Sequence, residues 1–126
     1  MVAGLFSDPN YIGVKKMLDA TVMRQEAIAS NLANMETPNY KRIDVDPSFG
    51  HALEKAMGSG KPNNIQKIQP RLMVDQTALS PNRDGNTVQL DNELMNLQQN
   101  GLNHQLQTQL VSATISKLRM AIRGRN

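Results

Sequence analysis

Few residues of this 126-residue chain have the types and spacing that catalysis or metal binding requires. The two histidines, His51 and His104, lie 53 positions apart, and neither stands at a metal-ligand or nucleophile–base spacing. The chain has no cysteine, which excludes disulfides, thiolate metal sites and cysteine nucleophiles. The glycine spacing at Gly58 and Gly60 does not match a phosphate-binding loop. We therefore expect no enzyme, with no catalytic, metal-binding or cofactor-binding residue and no small-molecule substrate.

The net charge of +3 gives weak support to a second class of function, nucleic-acid binding. Residues 117–125 carry four basic side chains and no acidic one, and such a tail would attract phosphate. No aromatic residue lies among these charges, and the dipole of a helix ending here would account for them equally well. Nucleic acid is therefore not an expected partner.

The longest uncharged segment, residues 94–116, resembles a membrane span only at first sight. Eight of its 23 residues are Asn or Gln, and their amides would be costly to place in hydrocarbon without partners. At a boundary between protein helices, the same amides can donate and accept hydrogen bonds. We therefore expect a helix packed among other helices, in a chain that does not span a membrane.

Heptad-like spacing of apolar residues predicts a long helix at each end of the chain. The first helix is predicted over residues 9–37, between the Asp8-Pro9 boundary and Pro38. The second is predicted over residues 90–124, with acidic residues in its first turn and basic residues in its last. The predicted packing seam of the two helices consists of Val14, Leu18, Ile28, Leu94, Leu97, Val111, Ile115 and Leu118. A second row indicates a wide or two-sided contact surface on the second helix, and its members are Leu102, Leu106 and Leu110.

The middle segment, residues 38–89, contains five of the six prolines. This proline content predicts that its regular elements are short. These are a helix over residues 49–57, a strand over 71–74, a tight turn at 84–86 and a flexible stretch over 58–64. The predicted fold is mainly α, with two long terminal helices forming an elongated antiparallel coiled-coil hairpin. The middle segment is loop-rich and partly flexible, and residues 1–126 form one elongated domain.

The end of the first predicted helix carries an unusual combination of small, amide and Thr-Pro residues. Asn31 and Asn34 share one helix face with small neighbours, so that paired amides can fix the register of packed helices. A plain helix terminus followed by a proline turn is an alternative interpretation. The residues that carry the pattern, called the signature below, are Asn31, Leu32, Asn34, Thr37, Pro38 and Tyr40.

The signature closely resembles that of the bacterial flagellar axial proteins, the family of rod, hook and hook-associated subunits. Residues 44–49, 84–88 and 91–93 are similar to motifs of a short subunit of the proximal rod. The sequence departs from the family at Asn39, where glycine is usual. Asparagine is the next-best residue for a left-handed backbone, so we expect the turn to be retained.

The resemblance implies a non-enzymatic structural subunit of the flagellar basal body, in the rod that crosses the periplasm. It implies unfolded export by the flagellar type III apparatus without a cleaved signal peptide, followed by self-association into a helical tube through the terminal helices. The implied partners are other rod subunits and the export gate or ring adaptor of the basal body. The alternatives are the other short proximal-rod subunit and a helical secretion chaperone.

Phe49 and Leu53 have the spacing of the element by which the export gate recognises early rod and hook substrates, another implication of the resemblance. A small apolar anchor beneath the loop is the alternative interpretation of this pair.

Overall fold

The computed structural model describes residues 7–79 and 82–124. Arg125, the last residue of the basic tail noted in the sequence, lies outside these ranges. The prediction of a mainly helical chain with two long terminal helices in contact is confirmed. In chain order the elements are α1 (Pro9–Ala33), β1 (Ile43–Val45), α2 (Ser48–Gly58), α3 (Pro62–Gln66), β2 (Leu72–Val74) and α4 (Leu90–Arg123).

Helix α1 begins as the sequence indicates and ends earlier than predicted. The carboxylate of Asp8 accepts hydrogen bonds from the backbone N–H groups of Asn10 and Tyr11, at 2.8 and 3.3 Å, and thereby caps the helix. The helix ends at Ala33 because the side-chain amide of Asn34 donates to the carbonyl of Ser30, at 2.8 Å, and a turn follows. The predicted end at residue 37 is therefore four residues too late.

Helix α4 has nearly the predicted bounds and lies antiparallel to α1. At 34 residues it is about 50 Å long, with Asp91 and Glu93 in its first turn and Arg123 in its last. Glu93 lies beside Asn31 near the end of α1, whereas Gln107 lies beside Thr21 in the middle of α1. This order of contacts establishes the antiparallel arrangement.

The middle segment contains more regular structure than predicted. Helix α2, strand β2 and the turn at Gly85 lie where the sequence places them. Strand β1 and helix α3 were missed, and β1 pairs with β2 in antiparallel register, with Asp44 opposite Met73. Helix α3 overlaps the stretch predicted to be flexible, because Pro62 occupies the first helical position, where its missing N–H and fixed φ favour a helix.

The apolar core lies between the first half of α1 and the middle segment. Its buried members are Tyr11, Ile12, Ala20, Val45, Phe49, Leu53, Ala56 and Ile65. Val111 and Ile115 of α4 pack against this cluster, so that the short middle elements share a core with both long helices.

Candidate assembly site

The signature begins with an asparagine that attaches the end of α1 to strand β1. Asn31 is fully buried, and its amide donates to the carbonyl of Ile43 while its oxygen accepts from the N–H of Ile43, both at 2.9 Å. The hydroxyl of Tyr40 donates to the same oxygen at 3.1 Å. The side chain therefore pairs with the backbone of β1 as a neighbouring strand would.

A second buried asparagine attaches the loop before α4 to the end of α1. The amide of Asn86 donates to the carbonyls of Asn34 and Thr37, at 2.9 and 2.8 Å, and its oxygen accepts from the N–H of Val88 at 2.7 Å. Nearby, Asn39 has a φ of 61°, the left-handed conformation expected at this position, and its N–H donates to the carbonyl of Asp84 at 2.9 Å. The sequence marked residues 84–86 as a turn and residues 84–88 as a motif of the family it resembles, but it did not predict this contact.

An ion-pair cluster connects the start of α4 to strand β1. The guanidinium of Arg42 donates to Glu93 at 2.6 Å, to Asp44 at 3.4 Å and to Asp75. Arg24 of α1 also pairs with Asp44, at 3.1 Å, so two guanidinium groups face three carboxylates. Glu93 is fully buried, and its second oxygen lies 3.4 Å from the amide of Asn31.

The charges of this cluster stabilise one another despite burial. Burial opposes the charge of Arg42, but the hydrogen bond and charge of Glu93, together with Asp75 and Asp44, hold the pKa of Arg42 above its ordinary value. Burial likewise opposes ionisation of Asp75, and hydrogen bonds from Thr77 and the guanidinium of Arg42 outweigh it, so that the pKa of Asp75 is lowered. Because Glu93 is fully buried, the charge of Arg42 is needed to compensate the cost of removing the carboxylate from water.

The signature residues thus do not form one exposed surface. Asn31 is buried and Asn34 and Tyr40 are partly buried within one hydrogen-bonded joint, which we call the signature joint. Leu32 is half-buried beside it, whereas Thr37 and Pro38 are exposed. Arg42, Asn86 and Glu93 complete the joint. The sequence did not single out Arg42, and it indicated Asn86 and Glu93 only as parts of a turn, a helix start and two family-like motifs.

The interface between α1 and α4 is polar along much of its length. The hydroxyl of Thr21 donates to Gln107 at 2.6 Å, and the amide of Asn100 donates to the carbonyl of Thr21 and to Gln25, at 3.0 and 3.1 Å. Glu93, Asn100 and Gln107 are the buried residues of α4, and they are spaced by seven. The most buried positions of α4 are therefore polar and lie at heptad spacing, and Val111 and Ile115 add apolar contacts with the core nearer its C-terminal end.

This arrangement changes the predicted seam. Ile28 is buried, and the partly buried members are Val14, Leu18, Leu97, Val111, Ile115 and Leu118. Leu94 is 46% exposed, so it is not buried between the two helices as the seam predicted, and that part of the prediction is wrong. The physical reason is a rotation of α4, which turns Glu93 toward Arg42 and Asn31 and moves Leu94 outward.

The rotation leaves an apolar row on the solvent-facing side of α4. Its side chains are between 42% and 71% exposed, and we call them the outer stripe: Met95, Leu102, Leu106, Leu110 and Met120. Together they expose on the order of 500 Å² of apolar surface, as much as the largest patch on a typical monomer. The second leucine row predicted from the sequence forms its centre.

Similarity to known proteins identifies the family of the chain that contains this joint and this stripe. A family model described as flagella basal body rod protein matches residues 18–41, which contain the signature. The flagellar basal body rod protein FlgB of Borrelia hermsii is 30% identical over 126 residues, covering 86% of this chain and 91% of the relative. The FlgB of Cereibacter sphaeroides is 34% identical over 112 residues, covering 80% and 84%, and that of Escherichia coli K12 is 28% identical over 128 residues, covering 89% and 91%.

The chain belongs to the FlgB family of flagellar basal body rod proteins.

As a FlgB family member, the chain is a structural, non-enzymatic subunit of the flagellar basal body rod. Assembly with other rod subunits follows from that membership. No helix among residues 7–79 and 82–124 is long and apolar enough to cross a membrane.

The two residues predicted for export recognition lie inside the folded subunit of this FlgB family member. Phe49 and Leu53 are both buried on α2, where they pack with Val45 and Ile65 in the apolar core. In the folded state they therefore act as an apolar anchor. A role in export would require the unfolded chain, in which both side chains are accessible.

Proposed function

We propose that the subunit is exported unfolded by the flagellar type III apparatus and polymerises in the proximal part of the rod. There the terminal helices join neighbouring subunits into a helical tube across the periplasm, and the export gate and ring adaptor are partners at its base. The outer stripe of α4 is the observation that carries the assembly part of this proposal, because the subunit's own fold leaves it uncovered.

The energetics of the stripe favour coverage by a neighbour. Fully burying one leucine or methionine side chain stabilises an interface by about 1.5–3 kcal/mol. The face of α4 toward α1 already forms hydrogen bonds with Thr21 and Gln25 within the subunit. It therefore has fewer apolar groups available for contact with a neighbouring subunit. The outer face is therefore the better surface for association.

Leu106→Asp tests the proposal in cells, with Ser112→Asp as the matched control. Both positions are exposed on α4, but Ser112 lies outside the stripe. We expect the Leu106→Asp subunit to be secreted while the cells form no rod and do not swim, because a carboxylate placed in an apolar interface is costly to desolvate. Ser112→Asp should leave the rod intact. Motile cells with complete basal bodies built from Leu106→Asp would refute the proposal.

Leu97 and Ile115 are less suitable positions for this test, although the sequence points to them. Ile115 packs against the core, and Leu97 is half-buried. A charge there would disturb the folding of the subunit as well as its assembly, and the two effects would not be separated.

We further propose that the export gate binds Phe49 and Leu53 before the subunit folds. Phe49→Ala should block secretion and leave the cytoplasmic amount unchanged. Ile65→Ala is the control, because Ile65 is fully buried in the same core and its truncation destabilises the fold by a similar amount, about 2–5 kcal/mol. Normal secretion of Phe49→Ala, or an equal loss of secretion for Ile65→Ala, would leave these residues as a structural anchor only.

A further inference from the structure

A notch lies at the end of the subunit where α1 ends and α4 begins. It has a volume of about 550 Å³, and its lining includes Met35, Glu36, Leu90 and Asp91. Met35 and Leu90 are 39% and 46% exposed, so the subunit itself leaves this apolar surface uncovered. Glu36 and Asp91 are also exposed, and within the part of the chain that the structure describes neither carboxylate forms an ion pair. The notch therefore combines apolar surface with two uncompensated negative charges.

The ends of the helices explain only one of these two charges. Asp91 lies in the first turn of α4, where a negative charge suits the helix dipole. Glu36 instead follows the C-terminal end of α1, where the dipole favours a positive charge, and α1 has no basic residue in its last turn. Arg83, in the adjoining loop, is followed by Asp84 and is not among the described residues that line the notch. The negative charge of the notch is therefore free to attract a partner.

The opposite end of α4 carries the complementary groups. Gln107 lies beside Thr21, and counting back from Thr21 to the start of α1 reaches only about residue 119 of α4. The last turn of α4 therefore extends past the start of α1, and its side chains are exposed. Ile122 and Arg123 follow Arg119 by three and four residues, so the three share one side of the helix, which we call the basic tip. The chain has no Asp or Glu after residue 93, so the tip is an apolar side chain between two cations.

The tip and the notch match in both charge and apolar character. We propose that the basic tip binds in the notch of a second copy of this chain, an inference that rests on the proposed function. The isoleucine of the tip packs against the apolar lining of the notch. The two guanidinium groups pair with the two carboxylates, a combination that forms strong, directional hydrogen bonds.

The charges also fix the direction of the contact. Two tips repel each other, and so do two notches, so a symmetric pair is disfavoured. Tip and notch lie at opposite ends of α4, about 50 Å apart, so each subunit can insert its tip into one neighbour and receive the tip of another. Such a head-to-tail contact does not close on a pair and can continue as a helical assembly. It leaves the leucines of the outer stripe free for neighbours at the side.

Disulfide crosslinking tests the contact directly because the natural chain has no cysteine. Purified full chains carrying Leu90→Cys or Ile122→Cys, one of them enlarged by an affinity tag, would be mixed at high concentration and mildly oxidised. The mixed dimer should exceed both homodimers by at least about tenfold, because only close Cα pairs can be bridged. With Ser112→Cys in place of Ile122→Cys, the mixed dimer should show only the statistical yield.

Two further results of the same experiment are expected. The excess of mixed dimer should disappear as salt rises from about 50 to about 500 mM, because exposed charges are then screened. A chain carrying both Leu90→Cys and Ile122→Cys should form trimers and longer ladders, since the contact does not close on a pair. Equal mixed-dimer yields with Ile122→Cys and Ser112→Cys, or a ladder that stops at the dimer, would overturn the inference.

Charge reversal tests the same two surfaces in cells. Glu36→Lys and Arg123→Glu should each reduce the number of complete basal bodies at least about threefold, because like charges then meet at the contact. The chain carrying both reversals should recover most of this loss, because every subunit contributes both surfaces. A defect within the folded subunit could not be repaired in this way, since the notch and the last turn of α4 lie at its opposite ends.

Glu54→Lys supplies the matched control for this rescue. Glu54 is exposed on α2 and is not among the described residues of the notch, and its reversal changes the net charge by the same amount. Combined with Arg123→Glu, it should restore nothing. Single reversals that assemble normal rods, or a double reversal of Glu36 and Arg123 no better than this control, would show that the tip does not bind the notch.

The two proposals can fail separately. If Leu106→Asp abolishes the rod but neither crosslinking nor charge reversal supports the contact, the assembly proposal stands and the binding of the tip in the notch is wrong. If rods assemble normally from Leu106→Asp subunits, the role of the outer stripe is wrong, and the contact between tip and notch is decided by its own two tests.

Discussion

Removal of Arg42 is the perturbation that should most damage the folded subunit. Arg42 is the cationic partner of Glu93, whose side chain is only 1% exposed, and it binds one oxygen of that carboxylate at 2.6 Å. Without Arg42, the amide of Asn31 at 3.4 Å is the hydrogen bond that Glu93 retains. The other carboxylates of the cluster keep partners, because Asp44 retains Arg24 and Asp75 retains Thr77.

The cost therefore falls on one buried, uncompensated carboxylate. We expect Arg42→Met to lower the free energy of unfolding by about 3–5 kcal/mol, the typical loss when one partner of a buried ion pair is removed. A single domain has about 5–15 kcal/mol in total, so a large part of the stability would be lost. The midpoint of urea unfolding, followed by circular dichroism, should fall by roughly 2 M.

A double-mutant cycle distinguishes this cause from lost packing of the arginine stem. Glu93→Leu removes the buried charge, so the variant carrying both Arg42→Met and Glu93→Leu should be at least about 2 kcal/mol more stable than the sum of the single losses predicts. If Arg42→Met costs less than about 1 kcal/mol, or if the single losses simply add, the reasoning about Glu93 is refuted.

Three further predictions concern the backbone and the acid response. Gly13→Ala would place a methyl group 2.6 Å from Sδ of Met57 and should cost about 1 kcal/mol, whereas Gly101→Ala meets no described atom within 4 Å and should gain about 0.5–1 kcal/mol. Thermal unfolding of the two variants compares them, and an equal shift would contradict the close contact. Asn39→Gly should leave the free energy of unfolding within about 0.5 kcal/mol, and Asn39→Val should lower it by about 1–2 kcal/mol, because a φ of 61° strains a branched side chain. Urea unfolding measures both, and a fully stable valine variant would contradict the assignment. Because the pKa of Asp75 is lowered in the folded state, its contribution is complete above about pH 4 and is lost as the pH falls through the folded pKa. Asp75→Asn should therefore flatten the loss of stability below about pH 4, and an unchanged acid response would argue against this role.

The bounds of α4 and the end of α1 show how far local signals reach. The ends of α4 carry acidic and basic residues that suit its dipole, and the predicted bounds are within one residue of the observed ones. The end of α1 depends on whether the Asn34 side chain binds the carbonyl of Ser30, a choice that proline spacing does not reveal. Local patterns therefore placed the helix, and one side-chain contact moved its end.

The orientation of α4 was not predictable from its periodicity. Two apolar rows occupy different faces of this helix, and hydrophobic spacing shows that each is suited to burial without showing what covers it. Contacts of Glu93 with Arg42 and of Gln107 with Thr21 turn a polar face toward α1. These partners are 51 and 86 positions apart in the chain, beyond the reach of any local pattern.

The sequence by itself determined the class of the protein, its two long helices, the left-handed turn at Asn39 and the uncharged, amide-rich character of α4. The helices, the turn and the composition of α4 depend on residue type and on spacing over a few turns, which local conformational preferences control, whereas the class of the protein follows from the resemblance of the signature to a known family. Only the tertiary structure decided that the signature is a buried joint, that Glu93 depends on Arg42 and that the leucine row faces outward. These features depend on pairs of distant residues, and their energies arise from burial and charge compensation that exist only once the chain has folded.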